Sequence, residues 1–343
     1  MVLLSVIGIL AIANASAPQA LMVFSNPYHF AKQQVIWTML GFLGLFITYN
    51  IHYSYWKKVA FAIGGVSLLF LVAVLIPGIG DKFLGARRWI GIGSFNFQPS
   101  ELAKFAVVLV VAKMSDEKYP LSYIIGFIGL VSLLIMFQPD LGTTIVISAI
   151  GIFQLFAAGI SFASLFIIGS LASLLTGFLI LISDYRRERL LTFLESSTDP
   201  LGKSYHMRQI LIALGTGGLF GVGIGQSRQK HLFLPETASD SIFAVIAEEV
   251  GLVGSTVLIL LLAFFVLRIL RVASIAPDNF SRLLASGIAF WMMAQTFLNL
   301  SSIVAITPLT GIPLPFFSYG GSSLVMILTA LGIILNISKY AQT

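Results

Sequence analysis

The chain has 343 residues, of which 57% are apolar and only 10% charged, with a formal net charge of +6 and no cysteine. With a mean hydropathy of +0.97, it lacks the polar residues to coat a water-facing surface, so a soluble globular enzyme is excluded and a membrane home follows. Disulfides, thiolate nucleophiles and thiolate metal sites are excluded as well, and the four histidines, His29, His52, His206 and His231, are too dispersed to suggest a zinc site.

Apolar runs approaching the roughly 20 residues of a bilayer span occupy 2–16, 34–50, 59–78, 101–114, 121–138, 142–158, 161–183, 241–267, 283–305 and 320–337. The predicted fold class is an all-α integral membrane protein with about ten transmembrane helices. It forms a single polytopic domain over 1–343, with one large loop at about 184–240 between helices seven and eight. The first run opens at Met1 with no basic residue ahead of it, and is read as a membrane helix rather than a leader ending near Ala13-Asn14-Ala15.

Ten spans place both termini on one side. If that side is cytoplasmic, its loops hold eight basic residues (Lys57, Lys58, Lys113, Lys118, Arg268, Arg271, Arg282, Lys339), against four in the short outer loops (Lys32, Lys82, Arg87, Arg88). The bias is moderate, and the long loop adds Arg186, Arg187, Arg189, Lys203, Arg208, Arg228 and Lys230 to the outer face. A basic cluster there attracts an anion, either the pyrophosphate of a lipid-linked substrate or the membrane headgroups. Within this loop Gly215-Thr216-Gly217-Gly218 and Gly221-Val222-Gly223-Ile224-Gly225 interrupt an apolar stretch. No βαβ unit surrounds the second run, so a dinucleotide site is set aside.

Carboxylates in or at the mouth of a span are costly and call for an explanation: Glu101, Asp140, Asp240, Glu248 and Glu249. Glu101 and Lys104 lie three apart on one helix face, and the residues alone allow either mutual neutralisation or a functional pair. Asp140 after Pro139, like Glu101 after Gln98-Pro99-Ser100, reads as an acidic first turn opposing the helix dipole. Asp240 stands where the eighth span begins, as an N-cap or as a lone catalytic base. On one continuous helix, Glu248 would be roughly 12 Å and 80° away from it, so the two form no direct carboxylate dyad.

Four blocks in order carry a family resemblance. They are Gly85-Ala86-Arg87-Arg88-Trp89-Ile90 leading to Gln98-Pro99-Ser100-Glu101-Leu102-Ala103-Lys104; Gln138-Pro139-Asp140-Leu141-Gly142-Thr143; Leu234-Pro235-Glu236 through Asp240-Ser241-Ile242-Phe243-Ala244 to Glu248-Glu249; and Thr310-Gly311-Ile312-Pro313-Leu314-Pro315-Phe316-Phe317-Ser318-Tyr319-Gly320-Gly321-Ser322-Ser323. Over nearly its whole length the chain resembles the SEDS family, the FtsW and RodA group of peptidoglycan glycosyltransferases. Arg87-Arg88-Trp89 and Tyr185-Arg186-Arg187-Glu188-Arg189 with Asp199-Pro200-Leu201-Gly202 are more like the division-type FtsW branch. Two departures fall near the expected site: Ser239-Asp240-Ser241 where the family usually has Thr-Asp-Phe, and Tyr205-His206 where it has Tyr-Gln.

The resemblance implies polymerisation of lipid II into β-1,4 glycan strands in the bacterial cytoplasmic membrane, with the active site facing outward and Asp240 as the general base. It implies that Arg87, Arg88, Lys203, Arg208 and Lys230 face the leaving pyrophosphate, with Lys104 oriented by Glu101. Tyr205, Gln209, Glu236, Ser318 and Tyr319 complete the implied substrate contacts, although close packing alone would also explain the small residues after Ser318. No metal ligand set is evident, but Mg2+ or Mn2+ between Asp240 and the pyrophosphate is compatible with this chemistry. The implied partners are a class B penicillin-binding transpeptidase and other divisome or elongasome proteins; no nucleic acid is expected. A lipid II flippase and a non-enzymatic divisome scaffold are the rival readings.

Overall fold

The computed structural model describes residues 1–341 apart from 84–85, 93–94, 183–186, 188–204 and 232. Its helices are α1 (Val2–Phe24), α2 (His29–Asn50), α3 (Tyr53–Ala73), α4 (Pro99–Asp116), α5 (Leu121–Met136), α6 (Leu141–Ala157), α7 (Phe162–Ile182), α8 (Tyr205–Gly217), α9 (Ile242–Ser274), α10 (Asn279–Ile303) and α11 (Gly321–Lys339). Each of the ten apolar runs falls on one of these helices, and α8 lies inside the long loop. Among the described residues six helices (α1, α2, α3, α9, α10 and α11) are long and apolar enough to cross a membrane. Leu121–Met136, Leu141–Ala157 and Phe162–Phe178 are shorter apolar helices. The remaining run lies on α4, which also carries Glu101, Lys104, Lys113 and Asp116.

The side-chain distribution is that of a protein in lipid. Large apolar residues point outward, as at Leu69 and Leu174, both 71% exposed, whereas Gln34, Gln138, Gln154 and Gln295 are buried. Such an exterior would aggregate in water, and buried amides give helices directional contacts that an apolar solvent cannot supply. The chain is a multi-pass helical membrane protein.

It is not wholly α-helical. Between α3 and α4 a small antiparallel sheet of order β1-β2-β3 forms from Asp81–Phe83, Ala86–Ile92 and Phe95–Phe97. Asp81 pairs with Trp89, Phe83 with Ala86, and Ile90 with Phe97, with a bulge between Asp81 and Lys82. Aromatic and β-branched residues suit short strands, and strands of three to seven residues are invisible to a search for spans of helical length.

Two compact units can be distinguished. The first comprises Met1–Val35, Phe162–Leu262 and Thr296–Gly320. Its main irregularity is a break in α9 at Gly251, where φ is 69° and ψ −170°. The glycine-rich loop fills this break: Val222 and Gly223 donate their amides to the carbonyls of Glu248 and Glu249, at 3.0 Å each. In return Leu252 and Val253 donate to Gly218 and Leu219, at 2.9 and 3.1 Å. Two carbonyls and two amides of α9 beside the break thus find partners in the loop, as buried backbone groups must where water is scarce. A Cβ at Gly251 would meet the Leu219 carbonyl oxygen at 2.6 Å, in a backbone region closed to other residues. Gly251→Ala is therefore expected to release the 218–223 segment, measured as accelerated hydrogen exchange at Val222 and Gly223. Unchanged protection of those amides would contradict the arrangement.

The second unit comprises Ile36–Ser161, Ala263–Gln295 and Gly321–Thr343. Helix α4 is buried through most of its length, and Gln154 of α6 donates to the Val108 carbonyl at 3.0 Å. At one end Tyr53 donates to Asp278 at 2.7 Å, while Lys57 pairs with Asp116 at 2.7 Å. Asp278 also accepts from the Ser281 amide at 2.8 Å and hydroxyl at 2.9 Å. Burial alone would raise the pKa of Asp278, but these donors outweigh it and hold the carboxyl below its ordinary value.

Candidate active site

In the first unit the site is built around the turn that precedes α9. Glu236, with φ 51°, folds the chain so that its carbonyl accepts from the amides of Ser239 and Ser241, both at 3.2 Å. Its carboxylate accepts from the Ser239 hydroxyl at 2.7 Å. Beyond Thr237, three successive carbonyls are each held by a different donor. Ala238 accepts from the Tyr319 amide at 2.7 Å, Ser239 from the Ser318 hydroxyl at 2.6 Å, and Asp240 from the Asn299 amide side chain at 3.2 Å. Asn299 donates to Ile312 as well, at 2.8 Å, and Ser318 accepts from the Leu314 amide at 2.8 Å. Turn and motif segment are thereby fixed to each other.

Asp240 is half-buried near the end of this turn, next to Ser241. A Cβ added to Gly311, where φ is 72°, would sit 3.5 Å from its Oδ2, so the Thr310-Gly311-Ile312 segment borders the carboxyl group. Asp240 is not the N-cap of α9. That position belongs to Ser241, whose carbonyl accepts from Ala244 at 3.0 Å and from Val245 at 3.4 Å. The picture of Asp240 and Glu248 on one continuous helix is corrected accordingly. A rigid main chain bearing a half-buried carboxylate suits proton transfer at a fixed point.

Helix α8 meets the same turn through His206, whose Nε2 lies 2.7 Å from the Ser241 hydroxyl. Tyr205, Arg208 and Gln209 follow the i, i+3, i+4 spacing of one face, and Arg208 is exposed. Tyr319 packs its ring edge-on to Phe30, with centroids 5.1 Å apart, and donates its hydroxyl to Gln33. Burial raises its pKa. Ser318, Tyr319 and Glu236, expected to touch substrate, therefore brace the turn; only Glu236 of the three is exposed.

Lys230, expected as an outer-face cation, is instead buried and committed. Its Nζ lies 3.0 Å from Glu249 Oε1 and donates to Asn14 and the Gly225 carbonyl, both at 2.7 Å. Asn14 also donates to Glu249. Glu248 accepts from the Ser227 hydroxyl and from the amides of Arg228 and Gln229, at 3.1 and 3.3 Å. These two buried carboxylates fasten the glycine-rich loop to α9, which accounts for them without a substrate.

The second unit holds the other predicted residues. Arg88 donates to the carbonyls of Gln138 and Pro139, so it ties the sheet to the α5–α6 connection rather than standing free. Arg87, on β2, is half-buried. Asp140 caps α6, accepting from the Thr143 amide at 3.1 Å and hydroxyl at 2.9 Å. Glu101 and Lys104, each 2% exposed, form an ion pair of 2.7 Å. Lys104 also donates to Gln295 at 3.0 Å and lies 5.5 Å from the Trp291 ring centroid. Gln295 accepts from Trp291 at 2.9 Å and donates to Ser323 at 3.2 Å. Lys203 lies outside the described residues. Asn299, Gln295 and Trp291 were not anticipated, and His206 was noted only as a departure near the expected site; an amide inside an apolar span was the available signal for Asn299 and Gln295.

Fold and site together define a polytopic membrane protein with a carboxylate fixed on a braced turn at the start of a helix. The family model FtsW/RodA/SpoVE, described as a cell cycle protein, matches residues 1–343, and the chain belongs to that family. It is 40% identical to Stage V sporulation protein E of Bacillus subtilis, over 99% of this chain and 95% of that protein. It is 39% identical to a probable peptidoglycan glycosyltransferase FtsW of Trichlorobacter lovleyi, over 98% and 91%. Among solved structures, a chain of a peptidoglycan synthase complex that coordinates polymerization and crosslinking superposes with a TM-score of 0.78 at 29% identity, covering 99% of this chain and 98% of that one. The Rod shape determining protein RodA of Thermus thermophilus gives 0.68 at 28%, covering 99% and 97%.

Proposed function

We propose that this chain is a peptidoglycan glycosyltransferase that polymerises lipid II, with Asp240 as the general base. The observation that carries this reading is the fixing of three successive carbonyls, Ala238 to Asp240, by Tyr319, Ser318 and Asn299. That bracing holds one half-buried carboxylate in a set place. The 4-hydroxyl of the acceptor N-acetylglucosamine attacks the anomeric carbon of the donor N-acetylmuramic acid and gives its proton to Asp240. Undecaprenyl pyrophosphate leaves with inversion, and no covalent enzyme intermediate forms. A sugar hydroxyl is a weak nucleophile and needs such a base within hydrogen-bond reach.

Arg208 is the cation proposed to meet the departing pyrophosphate, because it is exposed on the helix that His206 joins to the Asp240 turn. Arg87 is a second candidate, as is Lys203. Among the described residues no group of three or more His, Asp or Glu side chains could hold a metal ion. Mg2+ or Mn2+ at Asp240 would therefore take most of its ligands from substrate and water.

The arrangement proposed in the membrane is ten spans, with the loop at 184–240 and Asp240 on the extracytoplasmic side of the bacterial cytoplasmic membrane. A class B penicillin-binding transpeptidase is proposed as partner, supported by the similarity to a chain of a synthase complex. The FtsW and sporulation names of the relatives support a division-type rather than an elongation-type role. A flippase would use acids through the membrane depth, but Glu101, Glu248 and Glu249 are all engaged by neighbouring side chains, which favours the polymerase over the transporter.

The test is to incubate the purified protein and its transpeptidase with lipid II alone. Strands that a muramidase degrades are the expected product. No strands from folded, partner-bound protein would overturn the reading.

A further inference from the structure

Of the contacts that hold the Asp240 turn, the one made by His206 is the least accounted for. Its imidazole Nε2 lies 2.7 Å from Ser241 Oγ, and Ser241 is 0% exposed, so this hydroxyl needs a partner inside the protein. Ser241 is joined directly to Asp240 and caps α9, while His206 is in the first turn of α8. A single hydrogen bond therefore links the loop helix, the helix cap and the residue next to the carboxylate. It works from the side opposite in sequence to the bracing by Asn299, Ser318 and Tyr319, and it brings α8 against the turn.

We propose that His206 is a positioning residue for the reaction at Asp240: through Ser241 it fixes the carboxylate-bearing turn against α8 and its Tyr205, Arg208 and Gln209 face. The proposal rests on the assignment of Asp240 as the base. Loosening the clamp displaces the base without removing any substrate contact, so the effect falls on turnover. A misplacement on the order of 1 Å lowers a rate by up to about a hundredfold.

The test measures polymerisation rate against lipid II concentration for the protein with its transpeptidase, in wild type, His206→Ala, Ser241→Ala, the double variant, His206→Gln and Asp240→Asn. Each alanine variant is expected to lower kcat about tenfold with KM for lipid II held within about twofold. The double variant is expected to be no slower than either single one, because both break the same bond. His206→Gln, whose amide also reaches the serine hydroxyl, restores most of the rate. Ser241→Ala removes one oxygen and keeps the measurement available if His206→Ala does not fold. Wild-type kcat in Ser241→Ala, or losses that multiply in the double variant, overturns the clamp. If that happens while Asp240→Asn is inactive, the clamp alone falls; full activity in Asp240→Asn removes the base assignment and the clamp with it.

Discussion

Asp240→Asn is expected to reduce glycan polymerisation by a factor of about 10²–10⁴, the contribution of a positioned general base, while leaving the protein folded and bound to its partner. The substitution keeps the shape of the side chain and removes its basicity. Three carbonyls of the turn accept from Tyr319, Ser318 and Asn299 whatever side chain residue 240 carries. The loss should therefore appear in kcat, with lipid II binding retained, since a base acts on the transition state more than on the bound substrate. Asp240→Glu keeps a carboxylate but moves it by one methylene from a point bordered by Gly311, and is expected to recover part of the rate. The check is initial-rate strand synthesis at several lipid II concentrations, with partner co-purification as the control for folding. Wild-type kcat in Asp240→Asn would contradict the assignment.

Lys104→Met is expected to have the largest effect on stability. Glu101 and Lys104 are 2% exposed and 2.7 Å apart, and Glu101 Oε2 is already buried with no hydrogen-bond partner among the described residues. Removing the ammonium leaves a buried carboxylate without its counter-charge, a change that typically costs about 3–5 kcal/mol. Gln295 loses the Lys104 donor at the same time and keeps that from Trp291. The double variant Glu101→Gln/Lys104→Met removes both charges and is expected to recover most of this loss, as charge-free replacements of buried pairs commonly do. Thermal unfolding in detergent measures both. Equal melting of Lys104→Met and wild type would contradict a structural pair. A double variant that melts normally yet polymerises nothing would assign the pair to substrate instead, which the sequence alone left open.

The helices were legible in the sequence because a bilayer imposes a simple rule: each apolar run of sufficient length falls on a helix, from α1 to α11. The sheet was not, because its strands are too short to leave a signature among the apolar spans. The acids divide in the same way. Asp140, read as an acidic first turn, stands one residue earlier as the N-cap of α6, still a local role at a helix start. The roles of Glu248 and Glu249 depend on a loop some 20 residues earlier, and spacing along one helix says nothing of it. For the cations, the resemblance implied that Lys230 and Arg88 face the pyrophosphate, whereas one is buried beside Glu249 and the other grips two carbonyls. A sequence reports that a charge exists; which partner takes it up is decided by tertiary contacts. The break at Gly251 and the His206–Ser241 contact escaped for the same reason.

The most direct test of the central claim supplies lipid II to proteoliposomes of wild type and Asp240→Asn, each with the transpeptidase, and records strand synthesis and lipid II translocation together. Strands from wild type, none from Asp240→Asn and equal translocation in both are the predicted results. Translocation that depends on Asp240, with no strands from either protein, would contradict the account and make the chain a transporter.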